Sequence, residues 1–193
     1  MDHNTRLTLS RLRASYDHPQ QIAPGFAKAV TSAPSTGLIL EFGVATGTSF
    51  RQLCQIASPR MVYGFDWFYG LPEHWNADNP IGKFSTKGVP PRLPSNGEIF
   101  IGLVQQTLDD FLKSYADDVA FAHLDLDLYS STKYVLDRLE PRIIDGTVLL
   151  FDEIVDNPDH EEKAFLEFLV STGCNFEVVT KRHRDAIAFR IRR

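Results

Sequence analysis

Apolar residues in this chain come in short runs, separated by polar segments whose apolar positions recur every three or four residues. Five runs, at 38–42, 61–65, 98–103, 119–124 and 147–151, read as buried strands. Helical spacing predicts helices over 7–16, 20–31, about 48–57, 107–115, 130–139 and 161–170, with Thr46 or Thr48 placed to cap the third. Pro34, Gly37, Pro59, Pro141 and Gly146 punctuate the pattern as turns or breaks. The last segments, 175–180 and 186–191, alternate apolar and polar residues across a charged turn at 181–185, which predicts an antiparallel hairpin. Strands alternating with helices define an α/β fold. The expectation is a doubly wound, mainly parallel seven-stranded sheet closed by an antiparallel C-terminal hairpin. The length suits a single domain over 1–193, with the N-terminal helices inside 1–36.

One tract breaks the rhythm. Residues 67–97 hold Pro72, Pro80, Pro90, Pro91 and Pro94 and several glycines, and no periodicity. Structureless connections this long are uncommon in compact domains and tend to be lids or binding loops. The aromatic content (Trp67, Phe68, Tyr69, Trp75) favours a lid or substrate loop over a linker.

Composition narrows the class. A formal net charge of -5 argues against a nucleic-acid partner, which selects a basic face. The cationic C-terminal end (Lys181, Arg182, Arg184, Arg190, Arg192, Arg193) reads as a solvated edge strand. Cys54 and Cys174 are far apart and form no CxxC pair, so both read as buried thiols in a reducing compartment. No apolar run approaches the roughly 18 residues that span a bilayer. The expectation is a soluble, cytoplasmic protein without membrane or nucleic-acid partners.

The candidate chemistry sits at strand ends. Ligands of open α/β sheets bind beyond the carboxyl ends of the strands, and Glu41, Asp66, Asp125 and Asp152 lie at or near such ends. In residues 38–50 a strand ends in Glu41 and meets Gly43 and Gly47 before a helix start. Glycine there lets a ligand approach the backbone closely. The spacing lacks the third glycine of a dinucleotide motif. A carboxylate at Glu41 suits a sulfonium or ammonium better than a pyrophosphate. Asp66, about 20 residues on, suits a ribose diol. These features favour S-adenosylmethionine over NAD. Asp125, Asp127, Asp152 and Glu153 form a second set. Converging carboxylates repel without a cation, and oxygen ligands with no obvious His/Cys set favour Mg²⁺ or another hard divalent ion over zinc.

The motifs at 38–50, 64–72, 102–108, 123–132 and 146–153 together resemble the class I S-adenosylmethionine-dependent methyltransferases. Their nearest resemblance is to the macrocin O-methyltransferase (TylF-like) branch. The likeness implies a Rossmann-like fold. It also implies that Glu41, Gly43, Gly47 and Ser49 hold the methionine end of the cofactor. Asp66 then binds the ribose, and Trp67, Gly102 and Leu103 flank the adenine. Asp125, Asp152 and Glu153 match the family's metal ligands, and Asp127 matches its general base. Two features depart from the pattern. The usual Asp-Asp pair is Asp152-Glu153 here, which lengthens one ligand arm by a methylene. The chain is also short for that branch, so substrate cover falls to 67–97, the N-terminal helices or a second subunit of a homo-oligomer. The implied reaction is O-methylation of a small hydroxylated, sugar-like or catechol-like acceptor. The competing readings are a non-catalytic S-adenosylmethionine-binding protein and an NAD-dependent oxidoreductase.

Overall fold

The computed structural model describes residues 3–16, 25–155, 158–181 and 186–193. Seven strands form one sheet: β1 (Leu38–Phe42), β2 (Val62–Asp66), β3 (Gly97–Ile101), β4 (Val119–Leu124), β5 (Ile143–Phe151), β6 (Asn175–Lys181) and β7 (Ile187–Arg192). Their order is β3-β2-β1-β4-β5-β7-β6. The first five run parallel, and β7 is antiparallel to both β5 and β6. The helices are α1 (His3–Tyr16), α2 (Gly25–Thr31), α3 (Thr48–Ala57), α4 (Val104–Ser114), α5 (Tyr129–Leu139) and α6 (Glu161–Thr172).

Alternation along the strands feeds two cores. One face packs Leu40, Phe42 and Phe65 with α1, α4, α5 and α6 through Leu12, Leu108, Phe111, Val135 and Phe165. The other packs Ile39, Phe121 and Val148 with α2 and α3 through Phe26, Phe50 and Leu53. Both faces are thus covered, which is why β1 and β4 are buried along their whole length. Cys54 and Cys174 are free and buried, as expected. Arg190 and Arg192 pair with Glu177, Arg192 also with Asp145, and Arg193 with Glu140. Arg190, Arg192 and Arg193 are therefore paired with acids at the β6–β7 edge of the sheet. No helix among the described residues is long and apolar enough to cross a membrane.

Three local expectations change. Helix α3 takes no threonine cap: its N-cap is Gly47, in the left-handed conformation at φ 76°, and no side chain bonds to it. Gly146 is not a turn before the fifth strand but lies inside β5 at φ 93°. The register against β4 slips there, from Val119↔Ile143 to Phe121↔Val148, so the glycine serves a bulge. The 67–97 tract is folded onto itself: Leu71 and Gly82 bond to Lys83 and Leu71 carbonyls, and Thr86 and Gly88 both donate to the Phe68 carbonyl. Residues 20–24 of the predicted second helix and 182–185 of the hairpin turn lie outside the described residues.

Candidate active site

The strand order reverses between β1 and β4, and the ends of these two strands are stitched together. Asp125 N–H donates to Phe42 O at 2.9 Å, Gly43 N–H to Phe65 O at 3.0 Å and Asp152 N–H to Leu124 O at 3.1 Å. The first residues beyond β1, β2, β4 and β5 are therefore held in fixed relation. They open on a cavity of about 320 Å³ lined by Gly43, Asp66, Trp67, Gly102, Leu103, Asp125, Asp127 and Glu153, with Lys83 and Phe84 reaching in from the 67–97 tract. That volume lies at the lower end for small-molecule sites.

The 43–47 turn depends on Asp66. One carboxylate oxygen accepts from Val44 N–H at 2.8 Å and Ala45 N–H at 2.7 Å, and the other from Phe68 N–H at 2.6 Å. Asp66 is thus first a turn organiser. A carboxylate has about four lone-pair sites, so it retains capacity to accept one ligand hydroxyl. The same bonds consume two turn N–H groups that would otherwise face a ligand. Gly43 is needed on two counts. Its φ is 90°, and a Cβ there would lie 1.9 Å from the Asp125 carbonyl oxygen. Gly43→Ala is expected to cost about 3 kcal/mol or more and to abolish ligand binding in the cavity. Urea unfolding and calorimetry check both effects, and a variant with wild-type stability would contradict this close packing.

Glu41 is placed differently from the sequence expectation. It lies inside β1, fully buried, and does not line the cavity. One oxygen accepts from Ser49 Oγ at 2.8 Å and the other faces His123 Nδ1 at 3.2 Å. Ser49 is likewise turned to Glu41 and away from the cavity lining. Both lie behind the 43–47 turn. Trp67 lines the cavity with its indole N–H donated to Gly70 O, and Gly102 and Leu103 form the wall after β3.

Three of the acids meet at the cavity. Asp125 and Asp127 line the cavity from the loop after β4, and Glu153 does so from the loop after β5. Asp127 adopts φ 61°, and Leu128 N–H bonds back to Leu126 O at 2.6 Å around it. This is a strained γ-turn geometry for a non-glycine residue. Burial, then Asp152, pushes the Asp125 carboxyl well above the usual carboxylate range. Burial pushes Asp127 up to about 7, with Glu153 and Asp152 adding to the shift.

Sequence reasoning missed two residues here. His123 is fully buried, edge-on to Phe26, with Nε2 3.6 Å from Asp152 Oδ1. Burial alone would lower its pKa, but Asp152 and Glu41 outweigh that and raise it. Alternation along β4 puts residues 123 and 125 on one side, a signal the sequence does carry. Glu161, in the first turn of α6, is also buried. One of its oxygens accepts from Glu153 N–H at 3.1 Å and the other has no partner. Only the tertiary fold brings Glu161 behind the acids, so no local signal marks it. Donor atoms of His123, Asp125 and Asp152 lie within 4.8 Å of one another. Mutually destabilised acids around a common point, with an unsatisfied imidazole nitrogen beside them, fit a cation.

This fold and strand-end cavity define a class I methyltransferase, and the chain's sequence agrees. Residues 40–154, well over half of the chain, match the family described as "Methyltransferase domain", and the chain belongs to that family. Its class uses S-adenosylmethionine as methyl donor. No curated protein matches the chain. Among solved structures, the calicheamicin methyltransferase CalS11 is 23% identical at a TM-score of 0.65, covering 98% of this chain and 80% of its own. The O-methyltransferase NovP is 20% identical at 0.69, covering 87% and 78%. An O-methyltransferase from Bacillus cereus in complex with SAH is 16% identical at 0.59, covering 100% and 92%. At such identities they share the fold.

Proposed function

We propose that this methyltransferase carries out cation-assisted O-methylation of a small hydroxylated acceptor, in the manner of the macrocin O-methyltransferase branch. The observation that supports it is that acids from two adjacent strand ends, Asp125, Asp127 and Glu153, line the same cavity as the cofactor turn. The named activities of the O-methyltransferases NovP and that of Bacillus cereus, and of CalS11 as a TDP-rhamnose 3'-O-methyltransferase, point the same way.

In this reading the 43–47 turn and the wall at Gly102 and Leu103 would hold S-adenosylmethionine. Asp66 accepts a ribose hydroxyl, and Trp67 covers the adenine. Asp125, Asp152 and Glu153 would hold a divalent cation, with Mg²⁺ the first expectation for oxygen ligands. That ion, when bound, supplies Lewis acidity that lowers the acceptor hydroxyl's pKa. Asp127 would take the hydroxyl proton, freeing the acceptor oxygen to receive the methyl group that S-adenosylmethionine would supply when bound, the S–CH3 bond breaking as the sulfonium leaves as a neutral thioether. The rigid strand ends supply the alignment. Residues 67–97 act as the lid, with Lys83 and Phe84 closing the acceptor side. Glu73 anchors this lid to Ser130 at the start of α5.

The test is transfer of a labelled methyl group from S-adenosylmethionine to a panel of catechols and nucleotide-linked sugars, with divalent ions present or chelated. Methylated acceptor that disappears on chelation is expected. Tight cofactor binding without transfer to any acceptor would favour a non-catalytic binding protein. Turnover indifferent to chelation would remove the cation from the reaction.

A further inference from the structure

We infer that His123 is itself a ligand, and that the cation site takes a divalent first-row transition ion through His123 Nε2, Asp125 and Asp152. This rests on the cation-assisted reading above but changes the donor set and the ion. An all-oxygen site on Asp125, Asp152 and Glu153 suits Mg²⁺, whereas an imidazole donor selects against it.

Three observations converge. First, His123 Nε2 is buried and has no hydrogen-bond partner. Its 3.6 Å separation from Asp152 Oδ1 is too long for a hydrogen bond. Two donors each about 2.1 Å from one ion lie roughly 3.0–3.5 Å apart at right-angled to tetrahedral geometry, so the 3.6 Å spacing is just beyond that of ligands sharing an ion and closes to it with a shift of a few tenths of an ångström. Second, the other ring nitrogen, Nδ1, faces Glu41 Oε2 at 3.2 Å. A metal-bound histidine usually hands its second ring N–H to a carboxylate, which fixes its tautomer and ring plane. Glu41 is itself fixed by Ser49, at 2.8 Å. Third, the three donors come from rigid positions. Glu41 and His123 are register partners across β1 and β4, and His123 pairs with Leu150 of β5, two residues before Asp152.

This arrangement also accounts for the buried Glu41. Its carboxylate is a positioning group for the imidazole, and through Ser49 it ties the start of α3, where the cofactor turn ends, to the cation site. Glu153 is left as a cavity-lining acid that an acceptor or an outer water can meet.

The experiment uses the full chain and Mn²⁺ as the probe. Pulsed electron paramagnetic resonance of bound Mn²⁺ reports directly on a coordinated nitrogen, and calorimetry compares Mn²⁺ with Mg²⁺. The wild type is expected to show ¹⁴N modulation and at least about tenfold tighter binding of Mn²⁺ than Mg²⁺. His123→Gln should lose the modulation. Glu41→Gln, which keeps the imidazole, should retain it while binding Mn²⁺ about 10- to 100-fold more weakly. Bound Mn²⁺ without ¹⁴N coupling in the wild type, or coupling that survives in His123→Gln, overturns the inference while leaving cation-assisted transfer standing. A wild-type chain that binds neither ion overturns both.

Discussion

Replacing Asp127 by Asn is expected to lower kcat by about 10²- to 10⁴-fold and to leave S-adenosylmethionine affinity within about twofold. The two effects separate because Asp127 follows β4, whereas Asp66, Trp67 and Gly102, proposed above to hold the cofactor, line the cavity from the ends of β2 and β3. The substitution is also gentle on the fold. Asp127 sits at φ 61° in a γ-turn whose strain asparagine shares no more than aspartate does, and the amide matches the carboxylate in size. What the amide cannot do is accept the acceptor's proton. The carboxyl's value of about 7, raised by burial and then by Glu153 and Asp152, places the base where general-base catalysis works best near neutrality. Wild-type kcat should therefore rise with pH through an acidic limb, since Asp127 acts only when ionised. A bound cation would move that limb to lower pH by favouring the ionised carboxylate. The Asn variant should lose the limb altogether. Steady-state kinetics from pH 5.5 to 8.5, beside calorimetry of cofactor binding, reads both predictions. Unimpaired turnover in the variant would remove Asp127 as the base.

The residues that could be placed from sequence share a property, and so do those that could not. β1 and β4 were legible to the residue because both are wholly buried and bounded by turn-forming sequence. Asp66 and Asp125 were legible because each is the acid on which an apolar run ends, where the sheet topology guarantees a cavity. The start of β5 was not legible, because Gly146 reads as a turn unless the slip in register against β4 is known. The direction of the Glu41 side chain needs more than the strand pattern. Glu41 lies one residue inside β1, so the strand's pleat and the partner at His123 decide its direction, and both are tertiary facts. His123 was hidden by its setting. A single histidine in the run Val119–Leu124 reads as core, and it becomes chemically distinct only when Asp152 arrives from β5. The tract 67–97 was marked by its aromatic content as a lid or substrate loop, and Trp67 lies in the cavity lining. That Lys83 and Phe84 reach the cavity depends on the Leu71–Lys83 backbone pairing, which no periodicity announces.

Without divalent ions, the protein is expected to melt at a temperature about 5 °C lower at pH 8 than at pH 6, and a saturating divalent ion should remove most of that difference. The direction follows from which state holds more protons. Asp127, raised to about 7, stays protonated in the folded chain between roughly pH 4 and pH 7, where the unfolded chain has already released that proton. Asp125 and Glu161 are raised in the same sense, chiefly by burial. His123, also raised, keeps its proton above its ordinary value near 6.5. In each case the folded state binds more protons than the unfolded one, so stability falls as pH rises through these windows. The physical cause is the convergence of several acids on one point, which neutral pH turns into repulsion in a poorly solvated site. A cation that binds the ionised carboxylates opposes this, and it binds more tightly as they ionise. At about 100 times its Kd, the ion adds about 2.7 kcal/mol, or roughly 5–11 °C for a chain of this size, with the larger gain at pH 8. Differential scanning fluorimetry at the two pH values, with and without Mn²⁺ and Mg²⁺, makes the comparison. A melting temperature that rises from pH 6 to pH 8 without ions, and that neither ion moves, would mean that the acids are compensated by the protein alone and that no cation belongs among them.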